Sequence, residues 1–156
     1  MNVSEMTPEQ LAEASSAAMH ENDHAAKGLN IQIEETRPGY ARLSMKIRKD
    51  MLNGHGMCHG GFIFALSDTA FAHACNSYNK VTVASGCSIE FVAPGFLDDT
   101  LTAVAQERQR KGRTGVYDIT VYNQNNEELA FFRGKSYQIK GTLLPEDETT
   151  ARGETR

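Results

Sequence analysis

No stretch of this sequence reaches the ~18 consecutive apolar residues that a membrane-spanning helix requires, so no membrane partner is expected. Positive charge is also short: 16 Lys and Arg face 20 Asp and Glu, a net −4. That leaves neither a basic field for nucleic acid nor a polybasic anchor for a lipid surface. Cysteine is sparse, and Cys58, Cys75 and Cys87 are an odd number without framework spacing. This suits a reducing compartment, and a cytoplasmic protein is expected. The opening "MNVSEMTPEQ" is acidic and polar, unlike a signal or transit peptide. Internal repeats are missing, and 156 residues suit one domain, which at that size buries roughly 70% of its unfolded surface.

What is present falls into three parts. Residues 1–22 hold an N-terminal helix, with Thr7 as N-cap and Pro8 at the first helical position. Its apolar face is thin (Leu11, Ala14, Ala18, Met19), so it belongs on the surface or against another subunit. "DHAAKGLN" adds a helical turn that stops at Gly28. The main domain spans 23–141. From Ile31 the period becomes two, which predicts a hairpin over about 30–37 and 40–48, with Ala41, Leu43, Met45 and Ile47 on one face. A loop over 49–59 then leads into a helix over 60–77 that is apolar on nearly every side and therefore reads as buried. Three or four strands follow. Residues 142–156 form a charged tail, expected to be disordered. The economical arrangement is α+β: one curved antiparallel sheet wrapped around the helix 60–77.

The chemistry concentrates in "MLNGHGMCHGGFIFALSDTAFAHACN", residues 51–76. His55, Cys58 and His59 are good metal ligands, but a structural zinc site needs a second paired cluster, and the sequence offers only this one. A Cys58–His59 nucleophile pair is weaker, since adjacent residues of an extended loop point apart. No metal and no cofactor are expected. The glycines are more telling. Gly60 and Gly61 stand where loop becomes helix, so their N–H groups have no intrahelical partner, a ligand can approach closely, and the helix dipole adds positive potential. Such a place holds a phosphate or the developing oxyanion of acyl transfer. Asp68 is a lone acid among Phe64, Ala65, Leu66, Ala70 and Phe71, costly there unless paired or used. Along a helix it lies about 10–12 Å from Gly60 and Gly61, too far for one carbonyl to touch both. Either the two are unrelated, or two antiparallel copies of the helix build the site across a two-fold axis.

"LNGHGMCHGG" with "SDTAFAHACNS" and "FRGKS" resembles the hotdog-fold acyl-CoA thioesterases of the phenylacetic acid degradation group, the PaaI proteins. The likeness runs from about Asn22 to Gly141. It implies a hotdog subunit, a dimer with shared active sites and probable assembly into a tetramer, and hydrolysis of aromatic acyl-CoA such as (hydroxy)phenylacetyl-CoA. It also implies that Gly60 polarises the thioester carbonyl and that Asp68 of the opposing subunit is general base or nucleophile. Asn53 orients the reacting groups and His59 helps hold the loop. The basic run Arg108, Arg110, Lys111 and Arg113 is a candidate rim for coenzyme A phosphates, or equally a solvated strand end. Phe91, like Phe62, Phe64 and Phe71, is a candidate pocket wall. The rival reading from another class is a non-catalytic acyl-CoA-binding protein with the same pocket.

Overall fold

The structure, a computed structural model that describes residues 1–146, opens with helix α1 (Pro8–Glu21). Its start follows from local chemistry. Thr7 Oγ1 accepts from the Gln10 N–H at 3.2 Å, and Gln10 Oε1 accepts from the Thr7 N–H at 3.0 Å. A short α2 (His24–Gly28) is capped by Asp23, whose Oδ1 accepts from the Ala26 N–H at 3.0 Å. Strands β1 (Gln32–Arg37) and β2 (Tyr40–Lys46) form the hairpin that the alternation predicts. Gly39 turns it with φ +69°, and a Cβ there would sit 2.9 Å from Glu107 Cβ, so only glycine fits.

Helix α3 (Gly60–Cys75) follows, then β3 (Thr82–Phe91), β4 (Thr100–Lys111), β5 (Thr114–Tyr122) and β6 (Glu128–Gln138). All sheet neighbours are antiparallel, in the order β1-β2-β4-β5-β6-β3. The strand that leaves α3 therefore crosses to the far edge, and α3 lies along the concave face against β2, β4 and β5. Ala41, Leu43, Met45 and Ile47 are all buried, as their shared face predicts, beside Leu101, Ala103 and Ala105 of β4. Onto them α3 presses Ile63, Leu66, Ala70, Phe71 and Ala74. Phe71 meets Tyr117 edge-on at 5.6 Å and Phe132 at 6.0 Å. A Cβ on Gly134 would lie 2.7 Å from the Phe71 ring, which gives the glycine of "FRGKS" a packing reason.

Two expectations change. The helix ends at Cys75 rather than 77, because Asn76 leaves it to tie its end to β3. The Asn76 Nδ2 donates to Ala72 O at 2.9 Å and Thr82 O at 3.0 Å, while Oδ1 accepts from the Thr82 N–H at 2.9 Å. Nor is α3 enclosed in the single chain. Gly61 and Asp68 are exposed and Ala65 and Ala72 half-buried, and these positions share one helix stripe. Small residues count as apolar in a sequence, but the sheet covers only one side of the helix. At the other end, the Leu143 and Leu144 N–H groups donate to Asn79 Oδ1 at 3.1 and 2.8 Å, so the chain stays anchored past 141. The rest of the expected tail, from 147 on, lies outside the described residues.

The N-terminal helix docks through polar groups. His73 of α3 is buried and its Nδ1 bonds the Ser16 hydroxyl of α1 at 2.5 Å. Burial, and then the neighbouring His20, push the His73 imidazole down to about 4, with Asp23 opposing. The neutral ring is thus the form that folding selects. Stability from this group is intact above the ordinary value near 6.5 and falls as pH drops towards 4. Urea denaturation should lose on the order of 1–2 kcal/mol between pH 7 and pH 5 through this group, and His73→Gln should flatten that part of the slope.

Candidate active site

The loop before α3 is held almost entirely by its own backbone. Asn53 is its pivot: its N–H donates to Met57 O at 2.7 Å, and its Oδ1 accepts from the His55 and Met57 N–H groups at 2.9 and 3.1 Å. The Gly56 N–H donates to Asn53 O at 3.1 Å, Cys58 N–H to Gly95 O at 2.8 Å, and His59 N–H to Met51 O at 2.8 Å. From His55 to His59 every N–H is therefore engaged. The next two donors, Gly60 and Gly61, stand in the first helical turn, where no intrahelical acceptor exists. No other hydrogen bond takes them among the described residues. The loop thus delivers two unengaged N–H groups at the positive end of a 16-residue helix.

A cavity of about 490 Å³ opens beside these amides, lined by Asn53, Met57, Cys58, Gly60, Ile63 and Phe91 among others. The Phe91 ring lies flat against Gly60: a Cβ there would be 2.8 Å from Phe91 Cζ. Only a glycine lets an aromatic wall and an N–H donor share this corner. Burial pushes the Cys58 thiol up to about 11, so it is not a thiolate at neutral pH, and it packs as a small apolar group. His59 is exposed and holds the loop by its backbone; its side chain makes no cap bond. Among the described residues, no group of three or more His, Cys, Asp or Glu could hold a metal ion.

Asp68 projects from the open stripe of α3. Its carboxyl sits above the ordinary carboxylate value because the helix and sheet behind it displace water, and because Asp23 adds like charge. Cys87 of the edge strand β3 is within its electrostatic reach. In one chain Asp68 and the Gly60 amide remain about 10–12 Å apart along the helix.

The basic run lies elsewhere, at the opposite end of α3 and away from Gly60. Arg108 pairs with Asp118 at 3.4 Å, a carboxylate already bidentate to Arg133 at 2.7 and 2.9 Å. Arg110 pairs with Glu107 at 3.5 Å and stacks 3.5 Å over the Tyr78 ring. Lys111 and Arg113 flank the turn at Gly112. Sequence reasoning missed Lys80 and Lys140, which the topology brings beside Arg113. Neither belongs to the local run, so only the pairing of β3, β5 and β6 reveals them.

Residues 55–130 match the family model of the thioesterase superfamily. A relative from Escherichia coli (strain K12), acyl-coenzyme A thioesterase PaaI, is 53% identical over 129 residues, covering 83% of this chain and 92% of that protein. The structure of the Escherichia coli PaaI protein from the phenylacetic acid degradation operon superposes with a TM-score of 0.86 at 50% identity, covering 87% of this chain and 99% of that one. A hypothetical thioesterase protein from Streptococcus pneumoniae TIGR4, solved with coenzyme A, gives 0.74 at 26% identity, over 80% and 98%. The fold class is hotdog, that of the thioesterase superfamily. Within that superfamily the chain belongs to the PaaI-type acyl-CoA thioesterases.

Asn53 gives a direct check on the loop. Asn53→Ala leaves two backbone donors without their acceptor and should cost about 1 kcal/mol in denaturant unfolding. Asn53→Asp keeps that acceptor and should cost less.

Proposed function

We propose that the enzyme hydrolyses aromatic acyl-CoA thioesters, of the phenylacetyl type, in active sites shared between two subunits. The observation that carries this reading is the pairing of unengaged Gly60 and Gly61 amides with a carboxylate about 10–12 Å further along the same rigid helix. A second copy of α3, antiparallel across a two-fold axis, brings Asp68 of one subunit opposite Gly60 of the other. Two features favour that partner. The open stripe Gly61, Ala65, Asp68, Ala72 is small enough for close helix approach. The edge strand β3 is exposed along most of its ten residues and carries an unpaired hydrogen-bonding edge.

In this reading the thioester oxygen accepts from the Gly60 N–H, with Gly61 adjacent. The Asp68 carboxylate of the opposing subunit takes a proton from water as the water oxygen attacks the carbonyl carbon. The tetrahedral oxyanion is held by the amide, then collapses to expel the coenzyme A thiolate, which recovers a proton from Asp68. If Asp68 attacks directly, the same geometry yields a mixed anhydride that water then opens. Asn53 keeps the loop in register for the amides, and the backbone of His59 anchors its end. Phe91, with Ile63 and Met57, supplies an apolar wall for an aromatic acyl group. That the Escherichia coli relative is from a phenylacetic acid degradation operon supports this substrate class. Three free cysteines accord with a cytoplasmic setting.

Asp68→Ala and Asp68→Asn should each lower kcat with phenylacetyl-CoA by on the order of 10²–10⁴, read as free thiol release. Unchanged turnover in both would remove Asp68 from the mechanism. Because its carboxyl titrates above the ordinary carboxylate value, kcat/KM should rise with pH through an acid limb shifted above 3.8. The same shift carries a stability sign. A carboxyl raised in the folded state favours folding while protonated and loses that contribution as pH rises. Asp68→Asn should therefore raise Tm at pH 7 while abolishing activity.

A further inference from the structure

We propose that the phosphates of coenzyme A are bound by a cleft of Lys80, Arg113 and Lys140, and that this cleft belongs to the subunit that supplies Asp68. The proposal rests on the shared-site reading above. It redistributes the expected basic rim in two ways: which cations form it, and which subunit presents them.

The cations first. Arg108 and Arg110 are engaged, one with Asp118 and the other with Glu107 and the Tyr78 ring. Arg113, Lys80 and Lys140 instead surround a cleft of about 880 Å³ with Gln138 and Ile139. Glu146 is the one carboxylate at its rim, 4.0 Å from Lys80, too long and exposed to neutralise it. Three exposed cations on separate segments converge here: Lys80 before β3, Arg113 at the start of β5, and Lys140 after β6. Pairing of β3 and β5 with opposite edges of β6 brings them together. Coenzyme A carries a diphosphate and a 3′-phosphate, and a multiply charged group of that kind requires a convergent rim.

Distance then assigns the subunit. The cleft adjoins the C-terminal end of α3, since Lys80 and Arg113 also line a recess with Cys75 and Tyr78. Within one chain Cys75 lies fifteen residues beyond Gly60, or about 22 Å along the helix. In the antiparallel pair Gly60 stands level with the partner's Asp68, so the partner's Cys75 lies only seven residues further, about 10 Å. The arm between thioester and diphosphate contains two amide units and extends like a peptide of four to five residues, ~15 Å. It spans the second distance with length to reach the cleft, and falls short of the first. One subunit therefore supplies the amide, and the other both the carboxylate and the phosphate site.

The test uses intact protein carrying Lys80→Glu, Arg113→Glu and Lys140→Glu together. Two substrates are compared: phenylacetyl-CoA and S-phenylacetyl-N-acetylcysteamine, the same thioester without phosphates. The variant should raise KM for the CoA ester by on the order of tenfold or more and remove its ionic-strength dependence. Its kcat/KM on the truncated thioester should match wild type, which also reports that it is folded. Equal KM for the CoA ester in variant and wild type would overturn the phosphate site. The wild-type rate on the truncated thioester tests the thioesterase reading separately. Purified mixed dimers of this variant with Asp68→Asn test the subunit assignment. No site then combines an intact carboxylate with an intact cleft, so efficiency on the CoA ester should stay low. Recovery to half of wild type would overturn the assignment.

Discussion

A rigid helix fixes the distance between the Gly60 amide and the Asp68 carboxylate, and most of this molecule's organisation depends on that spacing. An α-helix neither stretches nor bends enough to bring residues eight apart onto one carbonyl. A donor at its first turn and an acid at its middle are useful together only if a second helix runs past in the opposite sense. The sheet, the loop and the open stripe of α3 all make sense as ways to support or to expose that helix.

The support is asymmetric. One side of α3 is welded to the sheet by Leu66, Ala70 and Phe71, with Gly134 making room for the Phe71 ring. The other side carries Gly61, Ala65, Asp68 and Ala72 and is left open. Crossing β3 to the far edge keeps a long strand free on the same border. The loop from Asn53 to His59 engages its own donors so that the Gly60 and Gly61 amides alone stay available. Rigidity at the electrophilic end suits a site that must hold an oxyanion without reorganising.

Much of this was legible in the sequence, and the limits have physical causes. The hairpin and its buried face at Ala41 to Ile47 followed from a period of two. The position of α3 followed from the glycine-to-apolar transition at Gly60. The environment of Asp68 did not follow, because a stripe of glycine and alanine scores as apolar whether a sheet or another helix covers it. The role of the basic run was also hidden. Arg108 finds its partner Asp118 across the β4–β5 pairing, and Lys80 and Lys140 reach Arg113 only through strand order. Asn53 was legible as a loop residue, but its two-donor grip on the backbone was not. Local spacing reports local structure; contacts set by topology need the fold.

The central claim is that each active site draws its amide from one subunit and its carboxylate from the other. The most direct measurement pairs two inactive variants in one purified mixed dimer, Asp68→Asn in one subunit and Gly60→Pro in the other. Proline is at home at the first helical position and removes that N–H, while the half-exposed Phe91 ring is free to swing aside. One site of the mixed dimer then carries both defects and the other carries neither. The account predicts recovery of about half the wild-type turnover with phenylacetyl-CoA. Turnover no higher than in the two parent variants would contradict it.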